Sequence, residues 1–367
     1  ISSSSSSYST RKRPITRLNG KYKTTVSTSK KVRKNKNDTL CKKKLLKFKG
    51  WHSLVKIVND MELKPSLRRK MYLKQIWKIR TEISDIDKLI GLNNIKNQLC
   101  DHILFVIYGT KLQFTYVPMR HVVITGKSGC GKTTFANILA VLMNKLYGQT
   151  PNHIIRGSRS NMIGNFVGHT AKLTQNVINS AKNGVLLIDE AYTLGDPGGN
   201  NSSNPDTFAR SCINTLNQNL TEKSQDFICI VIGYQKTIER SLFSHNEGLR
   251  RRFNVQFHFS EYKLSELFQF FCMFCQLQGI SFKSEEHRTH IKLMFVNRPN
   301  CFVNQVASVQ NLIQVLCTFV VRQNMNSSFT MGKINKIICK DDMYLVFARY
   351  QTAYNIKPTH LMSTLYI

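Results

Sequence analysis

Apolar and polar positions change rhythm several times along this chain, and each change marks an element. Between residues 51 and 80, Trp51, Leu54, Val55, Ile57 and Val58 fall at helical spacing, Pro65 interrupts, and Leu67, Met71, Leu73, Ile76 and Trp77 resume it. Two short basic amphipathic helices are predicted there. Further helices are predicted over 95–108, 133–144, 171–182 and 208–220, separated by short apolar runs at 122–125, 153–155, 184–188 and 227–232. The runs ending at Ile188 and Ile232 are continuously apolar, as strands covered on both faces of a parallel sheet are. Residues 255–259 alternate and read as a last strand. After Ser260 only helical spacing remains, over 264–277, 285–296 and 303–322. Strand and helix in alternation, then helices alone, predict an α/β fold: a parallel sheet flanked by helices, followed by a small helical lid. The segment GDPGGNNSSNP (195–205) is a loop by composition.

Charge divides the chain differently. Lys and Arg exceed Asp and Glu by 53 − 21 = 32 over 367 residues, and residues 1–80 hold 24 − 3 = 21 of that excess. Residues 1–49 are Ser, Thr, Lys and Arg with few apolar side chains, too few to offset the entropy of ordering, and are expected to be disordered. The expected division is a basic tail over 1–49, a basic helical linker over 50–82, a large domain over 83–260, and a lid with a C-terminal extension over 261–367. Clusters such as Lys42-Lys43-Lys44 and Arg68-Arg69-Lys70 suit contact with nucleic-acid phosphates, an anionic surface or a targeting receptor, and equally suit a solvated tail. Ten cysteines without a disulfide-like spacing suit a reducing compartment, so an intracellular, cytoplasmic setting is expected. No run of 18 apolar residues predicts a membrane span, and Ile1 followed by serines lacks the pattern of a secretory leader. Cys272 and Cys275 form a lone CxxC in a phenylalanine-rich helix, where core packing is the expected role.

Candidate chemistry begins at GKSGCGKT, between the run 122–125 and the predicted helix. This is a phosphate-binding loop in its expected context. Gly126, Lys127, Ser128, Gly129, Cys130 and Gly131 form the loop, and Lys132, Thr133 and Thr134 open the helix. Its backbone N–H groups cradle phosphate oxygens, Lys132 neutralises the β- and γ-phosphates, and Thr133 holds Mg²⁺. The strand of GVLLIDEA ends in Asp189, suited to Mg²⁺, and Glu190, suited to polarising an attacking water. ATP and Mg²⁺ are the expected cofactors. Gly248-Leu249-Arg250-Arg251-Arg252-Phe253 reads on physics alone either as a solvated basic turn or as arginines that reach a neighbouring subunit's γ-phosphate.

Together these stretches resemble an AAA+ ATPase of the CbbX/CfxQ and SpoVK group. The resemblance is carried by LIGLNNIKNQL (89–99), GKSGCGKT (126–133), NMIGNFVGHT (161–170), GVLLIDEAYTL (184–194), FARSCINTLNQNL (208–220), VIGYQKTIER (231–240) and NEGLRRRFN (246–254). It implies an AAA+ core in which Gly91 and Leu92 pack the adenine. Phe166, Val167 and Gly168 would form a loop gripping a threaded polypeptide, and Tyr234 would sit at the sensor-1 position. Arg250 and Arg252 fall at the arginine-finger positions, which implies a ring of identical subunits, expected to be a hexamer. The implied activity is Mg-dependent ATP hydrolysis that pulls on a protein substrate. Two other readings stay open: a nucleic-acid-associated AAA+ ATPase using residues 1–80, and a nucleotide-gated scaffold. The family's lid segment GN-A-R-x-VRN is expected over Arg298–Gln305, which places Phe302 where the sensor-2 arginine stands and leaves Arg298 as the nearest replacement.

Overall fold

A computed structural model describes residues 49–69, 71–109, 120–166, 168–195, 206–244, 247–326 and 336–357. The expected disordered tail, the loop 196–205 and Val167 lie outside the described residues. Four helices precede the sheet: α1 (Trp51–Leu63), α2 (Met71–Lys78), α3 (Arg80–Asp87) and α4 (Asn93–Gly109). In α1 the apolar stripe Trp51, Leu54, Val58 and Met61 is buried. Trp51 Nε1 donates to Asp87 Oδ1 at 2.9 Å, and its backbone N–H donates to Asn97 Oδ1 at 2.9 Å. Leu73, Ile76, Ile79 and Ile83 are buried as well. The stretch expected as a linker is thus packed against α4, because its helices present apolar stripes that need a partner.

Five parallel strands form the sheet: β1 (Val122–Gly126), β2 (Ile154–Gly157), β3 (Val185–Ile188), β4 (Ile228–Gly233) and β5 (Val255–Phe259), in the order β2-β3-β4-β1-β5. The central strands β3 and β4 are apolar throughout because helices cover both faces. On the edge strand β5 burial alternates, with Phe257 and Phe259 inward and Gln256 and His258 exposed. Helices α5 (Lys132–Tyr147), α6 (His169–Ser180), α7 (Thr207–Glu222) and the short α8 (Glu247–Arg252) follow β1, β2, β3 and β4 in turn. Asp206 starts α7, accepting from Ala209 N–H at 2.9 Å. A π-helical turn, Glu239–Phe243, precedes α8.

The lid consists of α9 (Leu264–Leu277), α10 (Glu285–Val296), α11 (Val306–Asn326) and α12 (Lys340–Ala353). Its core is aromatic: Phe295 stacks on Phe302 at 4.5 Å and meets Phe268, Phe271 and Phe347. Two lid features were not predicted. Strands β6 (Ser281–Phe282) and β7 (Ile337–Ile338) pair in parallel, and α12 follows them. Two-residue strands have no periodicity to read, and the apolar positions of α12 are interspersed with Arg, Gln and Asp. Cys275 is buried in α9, and among the described residues no group of three His, Cys, Asp or Glu side chains is placed to hold a metal. No described helix is long and apolar enough to cross a membrane.

His121, just before β1, is fully buried; its Nδ1 accepts from Cys229 N–H at 3.0 Å. That bond requires the neutral ring with its proton on Nε2, which faces Leu220 O at 3.4 Å. Burial pushes its pKa down to about 4. A depressed histidine pKa means that the unfolded chain takes up the proton first, so the contribution is complete above the unfolded value of about 6.5 and is lost as pH falls towards the folded value. The expected loss from this residue is about 2 kcal/mol by pH 5 and about 3 kcal/mol by pH 4. Urea midpoints measured from pH 8 to pH 5 should fall accordingly, and a flat profile would exclude this account.

Candidate functional site

Three chain segments leave the C-terminal edge of the sheet side by side, from β1, β3 and β4. Gly126, Gly129 and Gly131 all have positive φ, of 157°, 68° and 86°. Gly129 has a second constraint: a Cβ there would lie 2.3 Å from Asn304 O. Gly131 caps α5, so the positive end of that 16-residue helix faces into the turn. The cleft so formed has a volume of about 350 Å³ and is lined by Ser128–Thr134, Glu190, Tyr234, Val306, Ala307 and Gln310.

Lys132 is buried at the base of the cleft, its Nζ donating to Lys127 O at 2.6 Å and lying 5.1 Å from the Tyr234 ring centroid. Thr133 Oγ1 donates to Asp189 Oδ2 at 2.8 Å, joining the helix start to the end of β3. Asp189 Oδ1 accepts from Glu190 N–H at 2.9 Å. Glu190 has φ 51° and ψ 42°, a left-handed conformation that costs a non-glycine residue on the order of 1 kcal/mol or more. Its Oε2 is buried without a hydrogen-bond partner among the described residues. The Tyr192 hydroxyl bonds the same carboxylate, and this bond first, then burial, pushes the tyrosine pKa up to about 12. Tyr192 and Tyr234 pack with ring centroids 5.6 Å apart. The result is a strained glutamate that lines the cleft and has one buried oxygen unpartnered among the described residues.

Not every predicted residue faces the cleft with its side chain. Lys127 points outward and pairs with Glu261. Cys130 is buried, its Sγ donating to Lys127 O at 2.9 Å; burial raises its pKa and keeps it a thiol. Gly91 and Leu92, with φ of 66° and 60°, do not line the phosphate cleft; Gly91 packs against Glu266 and Tyr262. Phe166 is 70% exposed, its ring set edge-on to His169 at 5.7 Å, and Gly168 caps α6. Beside Phe166 runs a wider groove of about 930 Å³ that includes the Arg159–Asp206 ion pair, 2.6 Å apart.

Arg250 and Arg252 sit on α8 and line neither cavity. Arg250 is mostly exposed and pairs with Glu239 at 3.0 Å. Arg252 is held by Thr221 Oγ1 at 2.9 Å and by Gly248 O. The turn after Glu190 runs to Gly195, where a Cβ would lie 1.8 Å from Ser241 O in the π-helical turn that carries Glu239.

The lid corrects the expected alignment. Phe302 is buried in the lid core against Phe295. Arg298 is buried too, its guanidinium 5.0 Å from the Phe347 ring centroid. Neither lines the cleft; both side chains are taken up by the aromatic core of the lid. The lid residues that do reach it are Val306, Ala307 and Gln310, on the first turns of α11. Aligning the family's GN-A-R-x-VRN over Asn304–Asn311 instead would have placed Ala307 at the arginine position. Tyr192 was visible inside the DEAY motif; its contact with Glu190 was not.

Residues 122–261 match the family described as "ATPase family associated with various cellular activities (AAA)". A cfxQ-like protein of Acanthamoeba polyphaga mimivirus is 36% identical over 203 residues, 55% of this chain and 48% of that protein. Stage V sporulation protein K of Bacillus subtilis is 32% identical over 189 residues, 50% of this chain and 56% of that protein. Protein CbbX of Cereibacter sphaeroides is 31% identical over 192 residues, 51% of this chain and 60% of that protein. The chain spans about half the length of these curated relatives. The glycine-rich loop, the Thr133–Asp189 bond and the Asp189-Glu190 strand end all lie within residues 122–261, the stretch that matches the AAA ATPase family, and over about half its length the chain is similar to CfxQ-, CbbX- and SpoVK-type proteins.

Proposed function

We propose that this protein hydrolyses ATP and uses the cycle to pull on a protein substrate as a ring of identical subunits. The observation that carries the chemistry is Glu190, which lines the cleft in a left-handed conformation, with Oε2 buried and without a hydrogen-bond partner among the described residues. A carboxylate so placed can take a proton from a water attacking the γ-phosphate. Lys132 and the N-terminus of α5 would hold the phosphates. Mg²⁺ fits the oxygen pair of Thr133 and Asp189, and when bound would spread the charge that builds on the transferred phosphoryl group. The ring rests on Arg250 and Arg252, which line neither of the two cavities described and which the resemblance assigns to the arginine-finger positions. The pulling role rests on Phe166, an exposed aromatic able to wedge against an extended chain without reading its sequence.

Steady-state ATPase activity measured against protein concentration tests this reading. Activity per subunit should rise cooperatively as rings form, and a permanently unfolded polypeptide should stimulate it. Tight ATP binding with no turnover at any concentration would replace the motor with a nucleotide-gated scaffold. Stimulation by DNA that disappears on removing residues 1–80 would instead identify a nucleic-acid partner.

A further inference from the structure

The lid wall of the cleft is uncharged. It consists of Val306, Ala307 and Gln310, while Arg298 is turned into the aromatic core. Phosphates held by the loop therefore face no lid cation among the described residues. The lid nevertheless grips the loop itself, at two successive peptide units. Gly129 O accepts from Val306 N–H at 3.2 Å, and Cys130 O accepts from the Tyr262 hydroxyl at 3.1 Å. Tyr262 is fixed on the lid side in turn: its own N–H donates to Gln305 Oε1 at 2.8 Å, and its ring packs edge-on against Phe270 at 5.0 Å. Gln305 takes φ 54° to make that bond.

The nitrogen ends of those two peptide units are the N–H groups of Cys130 and Gly131. They belong to the set that a phosphate-cradling loop turns towards its anion. A peptide unit is one conjugated dipole, so a strong bond at its N–H makes its carbonyl a better acceptor, and the reverse. Phosphate on one side and lid on the other thus act on the same two units.

We propose that these two peptide units couple phosphate binding to lid position, with Tyr262 as the positioning residue that closes the link in place of a charged lid side chain. The inference rests on the nucleotide-binding reading of the cleft. Coupling of this kind is reciprocal: whatever factor phosphate adds to lid closure, the Tyr262 bond adds to phosphate affinity.

The test uses the full chain with Mg²⁺ and a fluorescent ADP analogue, displaced by inorganic tripolyphosphate, which has no adenine to touch. Tyr262→Phe keeps the ring and its contact with Phe270 and removes only the hydroxyl. It should weaken tripolyphosphate binding about fivefold, at the low end of typical coupling factors. It should also abolish the ADP-induced gain in hydrogen-exchange protection at residues 306–310. Gln305→Ala, which removes the hydrogen bond from Tyr262 N–H to the lid, should weaken both effects in the same direction, and it decides the matter should the phenylalanine variant fail to fold. Wild-type affinity and wild-type protection in a folded variant would overturn the coupling while leaving the nucleotide site intact. A wild-type protein that binds no ADP would overturn the site reading and this inference with it.

Discussion

Glu190→Gln protein should bind ATP as tightly as wild type and hydrolyse it at least a hundredfold more slowly. The amide keeps the size of the side chain and can still accept the Tyr192 hydroxyl bond. It cannot take a proton, and general-base catalysis of this kind contributes about 10²–10⁴ in rate. In the proposed reading phosphate binding rests on other groups: the loop glycines, Lys132 and the start of α5. The variant should therefore separate affinity from turnover, with ATP titrations unchanged and the steady-state rate collapsed. Hydrolysis at the wild-type rate would remove Glu190 from the chemistry.

Arg250→Ala should lose about a thousandfold in turnover, within the range for a missing arginine finger, without loss of fold stability. Its side chain is mostly exposed and its one ion pair, with Glu239, lies at the surface, where such pairs contribute about 0–1 kcal/mol. Arg252 differs: two anchors tie it to α7 and to the start of α8, so its removal should lower the melting temperature as well. The decisive measurement mixes two inactive proteins. Arg250→Ala subunits keep an intact Glu190, and Glu190→Gln subunits keep an intact Arg250. In a mixed ring some sites receive both, and activity should return. No recovery in assembled mixtures would mean that Arg250 does not act across subunits.

The parts of the site legible in the sequence were those defined by local spacing. A loop of fixed length between a strand and a helix is set by neighbours in the chain, so Gly126–Thr134 and Asp189-Glu190 could be read directly, as could β5, α9 and α10 to the residue. The lid contribution was not legible in the same way. Whether Phe302 or Ala307 faces the cleft depends on the angle at which α11 leaves the aromatic core. Packing decided it: Phe302 fills the space beside Phe295, and the small Ala307 lets α11 approach the loop. The hydroxyl of Tyr262 reaches Cys130 O across 132 positions of sequence, a contact without periodicity or motif.

The contact between Gly195 and Ser241 has a consequence for how faults would travel in a ring. The backbone five residues beyond Glu190 rests directly on the turn whose Glu239 pairs with Arg250. Any side chain larger than hydrogen at position 195 must displace that turn. In the proposed assembly Arg250 serves the adjacent subunit, so a lesion beside one nucleotide would be felt as a defect in the neighbour's. Clockwise and counterclockwise propagation would then be unequal, giving the ring a built-in direction.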